Sequence, residues 1–420
     1  MGKKSIALSL GLFILGAGAA QAATGPEKVE APKTNNTLAE SIMGGKANIN
    51  FRYRYETVDQ TGFAQDATAS TLRIKLKYQT GDWNDFFGVI EFDNVSQVGI
   101  GDYNSTVNGK AQYPVIADPL ITDVNQAYIA YKGIADTVLI AGRTALNFNN
   151  QRFVGTVGWR QNDQTWDMVG AVNQSIKDLK LTYGYVWNVN RIFGNDHPFG
   201  DLGTSTHIVN AEYEGFGIGK LTGYGLFIDL DDAPVFGLSS NTIGARLEGK
   251  QDFGDSGAKF IYELEFASQS DAGNNPNAYT ANYTLVSAGL SANGLTGKIG
   301  YEVLGADNGV AFQTPLATLH KFNGWADKFL ATPGTGLKDT YVAFSWKPEI
   351  EGAMKGIKFD AIYHDFSADT GGADYGSEWD LQVSKKISKN YYVALKYADY
   401  NADSFATDTK KMWLTIGANF

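Results

Sequence analysis

Leu72, Ile74, Leu76 and Tyr78 take every second place in a segment whose intervening places hold Arg73, Lys75 and Lys77. Successive side chains of a strand point to opposite faces, so this segment has one apolar and one cationic face. The same period runs through Ile49, Phe51, Tyr53 and Tyr55 against Asn50, Arg52, Arg54 and Glu56. It recurs in Phe260, Tyr262, Leu264 and Phe266 against Lys259, Glu263 and Glu265, and at the end of the chain in Met412, Leu414, Ile416, Ala418 and Phe420. Alternation alone suits a soluble sandwich as well as a barrel, so strand length and connection length must separate the two.

Eighteen strands are predicted, near 47–57, 69–80, 86–95, 123–132, 137–143, 164–173, 179–190, 204–213, 218–229, 240–251, 257–267, 279–291, 295–304, 338–347, 356–366, 375–387, 390–400 and 409–420. Most are ten to thirteen residues long. Soluble strands average about 5 to 6 residues, whereas strands that cross a membrane need about 9 to 11. The connections alternate. Long segments (58–68, 96–122, 144–163, 191–203, 230–239, 268–278, 305–337) follow odd strands, and short ones such as Gly81 to Asp85, Gly133 to Asp136, Asp252 to Ser256 and Ser388 to Lys389 follow even strands. Long loops on one side and short turns on the other mark an outer-membrane barrel. The expected fold is therefore all-β, a transmembrane antiparallel β-barrel of about 18 strands, with 16 as the alternative count. An even count puts both chain ends on the periplasmic side.

The first residues fit that compartment. Lys3 and Lys4 precede an apolar stretch from Ile6 to Ala19, and Ala20-Gln21-Ala22 supplies small residues around a cleavage point. This reads as a signal peptide over 1–22, giving localisation in a Gram-negative outer membrane. Residues 23–46 are a periplasmic leader, either a disordered tail or one short helix opened by the Thr37 to Glu40 capping box and stopped at Gly44. Residues 47–420 form the barrel. A terminal Phe420 on an amphipathic last strand resembles the signal read by the barrel assembly machinery, so that machinery and outer-membrane lipid and lipopolysaccharide are expected partners.

Composition removes other chemistries. The chain has no Cys, which excludes disulfides and thiol catalysis, and a net charge of −10, which argues against a nucleic-acid partner. His197, His207, His320 and His364 show no metal-ligand spacing, so no metal and no cofactor is expected. Asp229, Asp231 and Asp232 could bind calcium, but they also suit a solvated loop tip. No nucleophile elbow or coherent acid–base set is present, so an enzyme is not expected. What remains is the lumen. Arg52, Arg54, Arg73, Lys75, Lys77 and Arg143 lie on polar faces, and a charge at the middle of a lipid face would cost about 2 to 4 kcal/mol. They are expected to point inward, either neutralising Glu91, Asp93, Glu212, Glu248, Glu263 and Glu265 or lining a path for an anionic solute.

One stretch is more specific. Gly142-Arg143, the run from Leu146 to Gly155 containing Arg152, and the run from Gly158 to Thr165 containing Trp159 and Arg160 resemble the alginate-export family of outer-membrane porins. Phe51 to Glu56 and Leu72 to Tyr78 are similar to the same family, the specific part of the match covering 48–167. The resemblance implies an 18-stranded monomeric barrel passing a polyuronate, with Arg52, Arg54, Arg73, Arg143, Arg152 and Arg160 lining the pore. The chain departs from that family in one respect: its periplasmic turns are all short, Lys347 to Lys355 being the longest, where a gated exporter carries a long one. The expected function is passive diffusion of an anionic solute, a polyuronate such as alginate or its oligosaccharides. General nutrient uptake without that specificity stays open, as does an enzyme or adhesin on a barrel scaffold. The segment 144–163 carries Arg152 and Arg160 beside Phe148, Phe153 and Trp159, and is expected to enter the pore or form a packed cap.

Overall fold

The computed structural model describes residues 37–254 and 257–420. The expected signal peptide over 1–22 and the leader up to residue 36 lie outside them. Eighteen antiparallel strands form one closed sheet. They are β1 (Lys46–Gln60), β2 (Ala67–Gln79), β3 (Phe86–Asp102), β4 (Thr122–Ile134), β5 (Thr137–Thr144), β6 (Thr165–Asn173), β7 (Leu179–Asn190), β8 (Asp201–Tyr213), β9 (Lys220–Ile228), β10 (Ser240–Asp252), β11 (Lys259–Asp271), β12 (Thr280–Ala292), β13 (Leu295–Leu304), β14 (Leu337–Trp346), β15 (Ile357–Ser367), β16 (Asp374–Lys386), β17 (Tyr391–Ala402) and β18 (Thr409–Asn419). Each strand pairs with its sequence neighbours, and β18 closes on β1 through Phe51↔Ala418, Tyr53↔Ile416 and Tyr55↔Leu414. Closure leaves no sheet edge, which is what a bilayer demands of a β protein.

The two-residue period sets the faces. Phe51, Ile74, Leu76, Ile129, Ile243, Ile299, Phe344, Leu414 and Ile416 form outward rows, and Ile129 is 59% exposed. Such rows tolerate exposure only against hydrocarbon. Inward rows carry Arg52, Arg54 and Glu56 on β1, Arg73 and Lys75 on β2, and Glu91 and Asp93 on β3, all buried. An 18-stranded barrel encloses more space than wall side chains can fill. The surplus is taken by loops on the long-loop side, chiefly the third (145–164) and the seventh (305–336), which fold inward.

Before β1 comes one short helix, α1 (Leu38–Met43), with both halves of the Thr37–Glu40 capping box formed and Gly44 as its C-cap. Its Ser41 is buried against the β2–β3 turn, where the Gly81 N–H donates to the Ser41 carbonyl at 2.9 Å and the Ser41 hydroxyl to the Gly81 carbonyl.

Candidate functional site: a lumen crossed by two loops

The third loop is seated on the cationic wall. Arg52 donates through Nη1 to the Gly158 carbonyl (2.8 Å), through Nη2 to the Arg160 carbonyl, and through Nε to Gln161 Oε1 (2.9 Å). Gln161 donates in turn to Thr71 Oγ1 at 2.8 Å, and its backbone N–H to Asp118 Oδ1 at 2.8 Å. Lys75 pairs with Asp163. Burial opposes the charge on Asp163, yet Lys75, Arg73 and Arg52 together hold its carboxyl below the usual value. Arg160 reaches both oxygens of Glu56 at 3.0 and 3.1 Å. From this wall the loop spans the lumen, and on the far side Asn149 donates to Asn210 on β8 (3.2 Å) and Asn150 to Glu263 on β11 (3.0 Å).

The seventh loop is seated on an acidic wall. Asn323 donates to Glu302 on β13 (2.6 Å) and Asp339 on β14 (3.0 Å). The Trp325 N–H donates to Asp380 (3.1 Å) and the Ala326 N–H to Glu378 (2.6 Å), both on β16. Gly324 has φ of +85°, and a Cβ there would strike the Glu378 carboxylate, so this close approach requires glycine.

The two loops also hold each other. Gly155 N–H donates to the Leu316 carbonyl (2.9 Å) and Thr318 N–H to the Gln151 carbonyl (3.1 Å). Arg152 leaves the third loop to bind Glu302 (2.8 Å), Thr314 (3.2 Å) and Asn323 (3.0 Å). Phe153 packs on Tyr224, Tyr283 and Phe312, with ring centroids 5.1 to 5.9 Å apart. Phe329 packs on Phe366, Tyr375, Tyr400 and Phe405. Trp159 stacks on His320 at 3.3 Å between centroids, and Lys396 of β17 points among Trp159, Trp325 and Trp413.

The eight cations expected to line the pore therefore divide. Arg52, Arg54, Arg73, Lys75, Arg152 and Arg160 are buried beneath or within the crossing and face no open path. Arg54 donates no hydrogen bond to any described residue, and its Nε and Nη1 are buried without partners. Arg143 corrects the expectation outright. It stands opposite Ala127 and Asp167, in register with Ile129, Ala141 and Val169, on the outward row. It escapes the penalty of a lipid-facing charge because it lies one residue from the loop-side end of β5 and is paired with Asp167 at 2.7 and 3.1 Å. Of the eight, Lys77 alone is neither buried nor in an ion pair among the described residues, and its amine stays on the lumen wall.

Sequence reasoning placed the acids Glu212, Glu248 and Glu263 inward but missed the cations of the opposite wall that pair with them. There Lys180–Glu212 (2.8 Å), Lys220–Glu212 (3.3 Å), Lys220–Glu248 (2.9 Å), Arg246–Glu248 (2.8 Å), Arg246–Glu263 (2.8 Å) and Lys298–Glu263 (3.4 Å) form a continuous ladder from β7 to β13. Beside it Lys321, at the inner end of the seventh loop, is exposed and donates only to the Asn150 carbonyl at 2.9 Å. A cavity of about 610 Å³ opens on this wall, lined by Lys220, Glu248, Glu263, Ser287 and Lys298 among others. Among the described residues no cluster of three or more His, Asp or Glu could hold a metal ion, the Asp229 to Asp232 loop included.

No protein-family model and no curated protein sequence matches the chain. Solved structures do. OccAB2 of Acinetobacter baumannii superposes with a TM-score of 0.71 at 15% identity, over 91% of this chain and 99% of that one. The structure of OpdK of Pseudomonas aeruginosa with vanillate gives 0.67 at 14%, over 90% and 99%. OccK9 (OpdG) of the same organism gives 0.68 at 16%, over 90% and 100%. At such identities the likeness is one of fold, and the fold is that of an 18-stranded outer-membrane porin barrel. It lends no support to the alginate-export resemblance, which rests on the residues of 48–167 alone.

Proposed function

We propose that the protein is an outer-membrane diffusion porin for small carboxylate-bearing solutes, acting as a monomer and without enzymatic chemistry. The observation that carries this reading is an asymmetry of unpaired charge. Lys77 and Lys321 face the lumen without an ion pair among the described residues, whereas the acids of the far wall, Glu302, Asp339, Glu378 and Asp380, are buried behind the seventh loop. A solute meets the charges at a constriction rather than the net charge of the chain, so two free amines outweigh the −10 total. Within a narrow lumen the solute stays inside the Debye length, about 8 Å at physiological ionic strength.

Size favours a small solute over a polyuronate. Two loops that meet across the lumen leave little width for a polymer, and the similar OpdK structure holds vanillate, a compact aromatic carboxylate. The test is the reversal potential of single channels in a salt gradient. Anion preference is expected, weakened by Lys77→Gln and Lys321→Gln together, with block by a monomeric uronate or aromatic carboxylate stronger than by oligouronates. A cation-preferring wild-type channel overturns the proposal, and stronger block by longer oligouronates restores the polyuronate reading.

A further inference from the structure

The helix α1 has an apolar face that no part of the described chain covers. Helical geometry places Leu38, Ala39, Ile42 and Met43 on one arc and Glu40 and Ser41 on the other. Ser41 is the buried contact, which turns the apolar arc away from the barrel: Leu38 is 51%, Ile42 49% and Met43 86% exposed. The helix is also fixed in place. Besides the Ser41–Gly81 pair, the Tyr78 hydroxyl donates to the Ile42 carbonyl, and Gly45 lies so close to the Tyr78 ring that a Cβ there would collide with it. Tyr78 belongs to the outward row of β2, continuous with Leu72, Ile74 and Leu76. Next to it on the same rim are Trp83, Phe86 and Tyr131, the last two in ring contact at 4.5 Å. Aromatic side chains in such a row mark the level of the lipid headgroups.

We infer that α1 is an interfacial anchor, lying in the periplasmic leaflet with Leu38, Ile42 and Met43 dipped among phospholipid acyl chains. The carrying observation is continuity: an exposed apolar helix face is bonded to the outward side of the barrel at its aromatic girdle. An amphipathic helix so held gains by burying its apolar arc at the headgroup boundary. The leader then does more than link a signal peptide to β1. It clamps the β2–β3 turn, and with it the first strands of the cationic wall, to the membrane plane.

The chain has no Cys, so a single cysteine reports one position cleanly. Met43→Cys, labelled with an environment-sensitive fluorophore, would be folded into phosphatidylethanolamine–phosphatidylglycerol vesicles beside two reference sites. Leu76→Cys reports the lipid face, and Ile176→Cys the exposed β6–β7 turn. The expected result is a blue-shifted emission quenched several-fold more by headgroup-region nitroxide lipid than by aqueous iodide, as at position 76. Quenching by iodide equal to that at position 176 overturns the inference. Protection from both quenchers that vanishes on diluting protein in lipid also overturns it, assigning the face to a second copy. Protection from both at every dilution overturns it too, in favour of cover by the chain's own residues.

Discussion

The Lys396 ammonium lies 3.6 Å from the centroid of the Trp325 indole, and this contact joins the barrel wall to the seventh loop. Trp413 and Trp159 stand 5.5 and 5.7 Å from the same ammonium, and His320 Nε2 accepts from it at 2.6 Å. One residue of β17 is thus caged by side chains of the third loop, the seventh loop and β18. A desolvated cation–π contact contributes about 2 kcal/mol, and here several converge. Lys396→Met is expected to loosen both loops together, raising single-channel conductance and shifting tryptophan emission to the red, while Lys396→Arg keeps most of the lock. Unchanged conductance in the Met variant would show that the crossing holds without the cage.

His320 makes the lock sensitive to acid. Its Nδ1 is 2.7 Å from Asp327 Oδ1, so with Nε2 accepting from Lys396 the ring is the neutral tautomer protonated at Nδ1. Burial and the Lys396 charge hold its pKa well below the ordinary 6.5. Burial opposes the charge on Asp327, but Lys411, His320 and Arg160 keep its carboxyl well below the usual range, so it remains an anion throughout. A released loop would take up a proton on His320 near its ordinary value and the seated loop does not. The seated state is therefore fully favoured above about pH 6.5 and loses ground as pH falls toward the depressed value. Conductance should rise reversibly as pH falls from about 6.5 to 5, and His320→Gln, which can still accept from Lys396 and donate to Asp327, should flatten that slope. An identical slope in the variant would place the sensitivity elsewhere.

Gly324 tests the acidic seat. Its φ of +85° disfavours any other residue, and the Glu378 carboxylate occupies the space of a side chain. Gly324→Ala should cost about 1 to 3 kcal/mol of backbone strain, enough to displace the loop without unfolding a closed barrel. Larger conductance and faster proteolysis near 324 are expected, with an unshifted heat-modifiable band on gels. Gly62, with φ of +101° but open space around it, is the control: Gly62→Ala carries the strain and should leave the channel unchanged.

Much of this architecture was legible in the sequence because the bilayer enforces a simple rule. A strand with lipid on one face must alternate strictly, and β7 and β13 fall at their predicted bounds. β3 runs to Asp102, beyond its predicted end at 95, because above the apolar rows it continues as an extended ribbon bent at Gly99, where alternation no longer signals pairing. The crossing was half legible. Arg152, Trp159 and Arg160 mark the third loop by density of rings and charges, and His320, Trp325 and Asp327 carry the same mark in the seventh. What no local pattern reveals is the assignment of walls. That Arg52 meets backbone carbonyls of Gly158 and Arg160, while Glu378 meets a backbone amide of Ala326, depends on contacts between residues 52 to 108 positions apart in the chain. Periodicity likewise misplaced Arg143, because a charge at the end of a strand is free of the penalty that forces one at midplane to turn inward.

Closure gives the last prediction. The Phe420 N–H donates to the Ile49 carbonyl and its own carbonyl accepts from the Ile49 N–H, both at 2.9 Å, so Phe420 completes the seam between β18 and β1. Its ring is exposed on the outward side, edge-on to Phe51 at 6.4 Å and to Tyr391 at 5.7 Å. Removing it deletes these two bonds and the one that Asn48 Nδ2 donates to its carbonyl, at about 1 kcal/mol each, too little to unfold a finished barrel of eighteen strands. Loss of the ring should nevertheless matter during insertion, when the last strand is the free edge that must be captured before it can pair. Deletion of Phe420 is thus expected to cut the amount of membrane-inserted protein sharply in cells, while purified protein refolded in detergent reaches nearly wild-type stability. Equal losses in both settings would mean that the residue acts through the seam alone; normal insertion in cells would remove its role as an assembly signal.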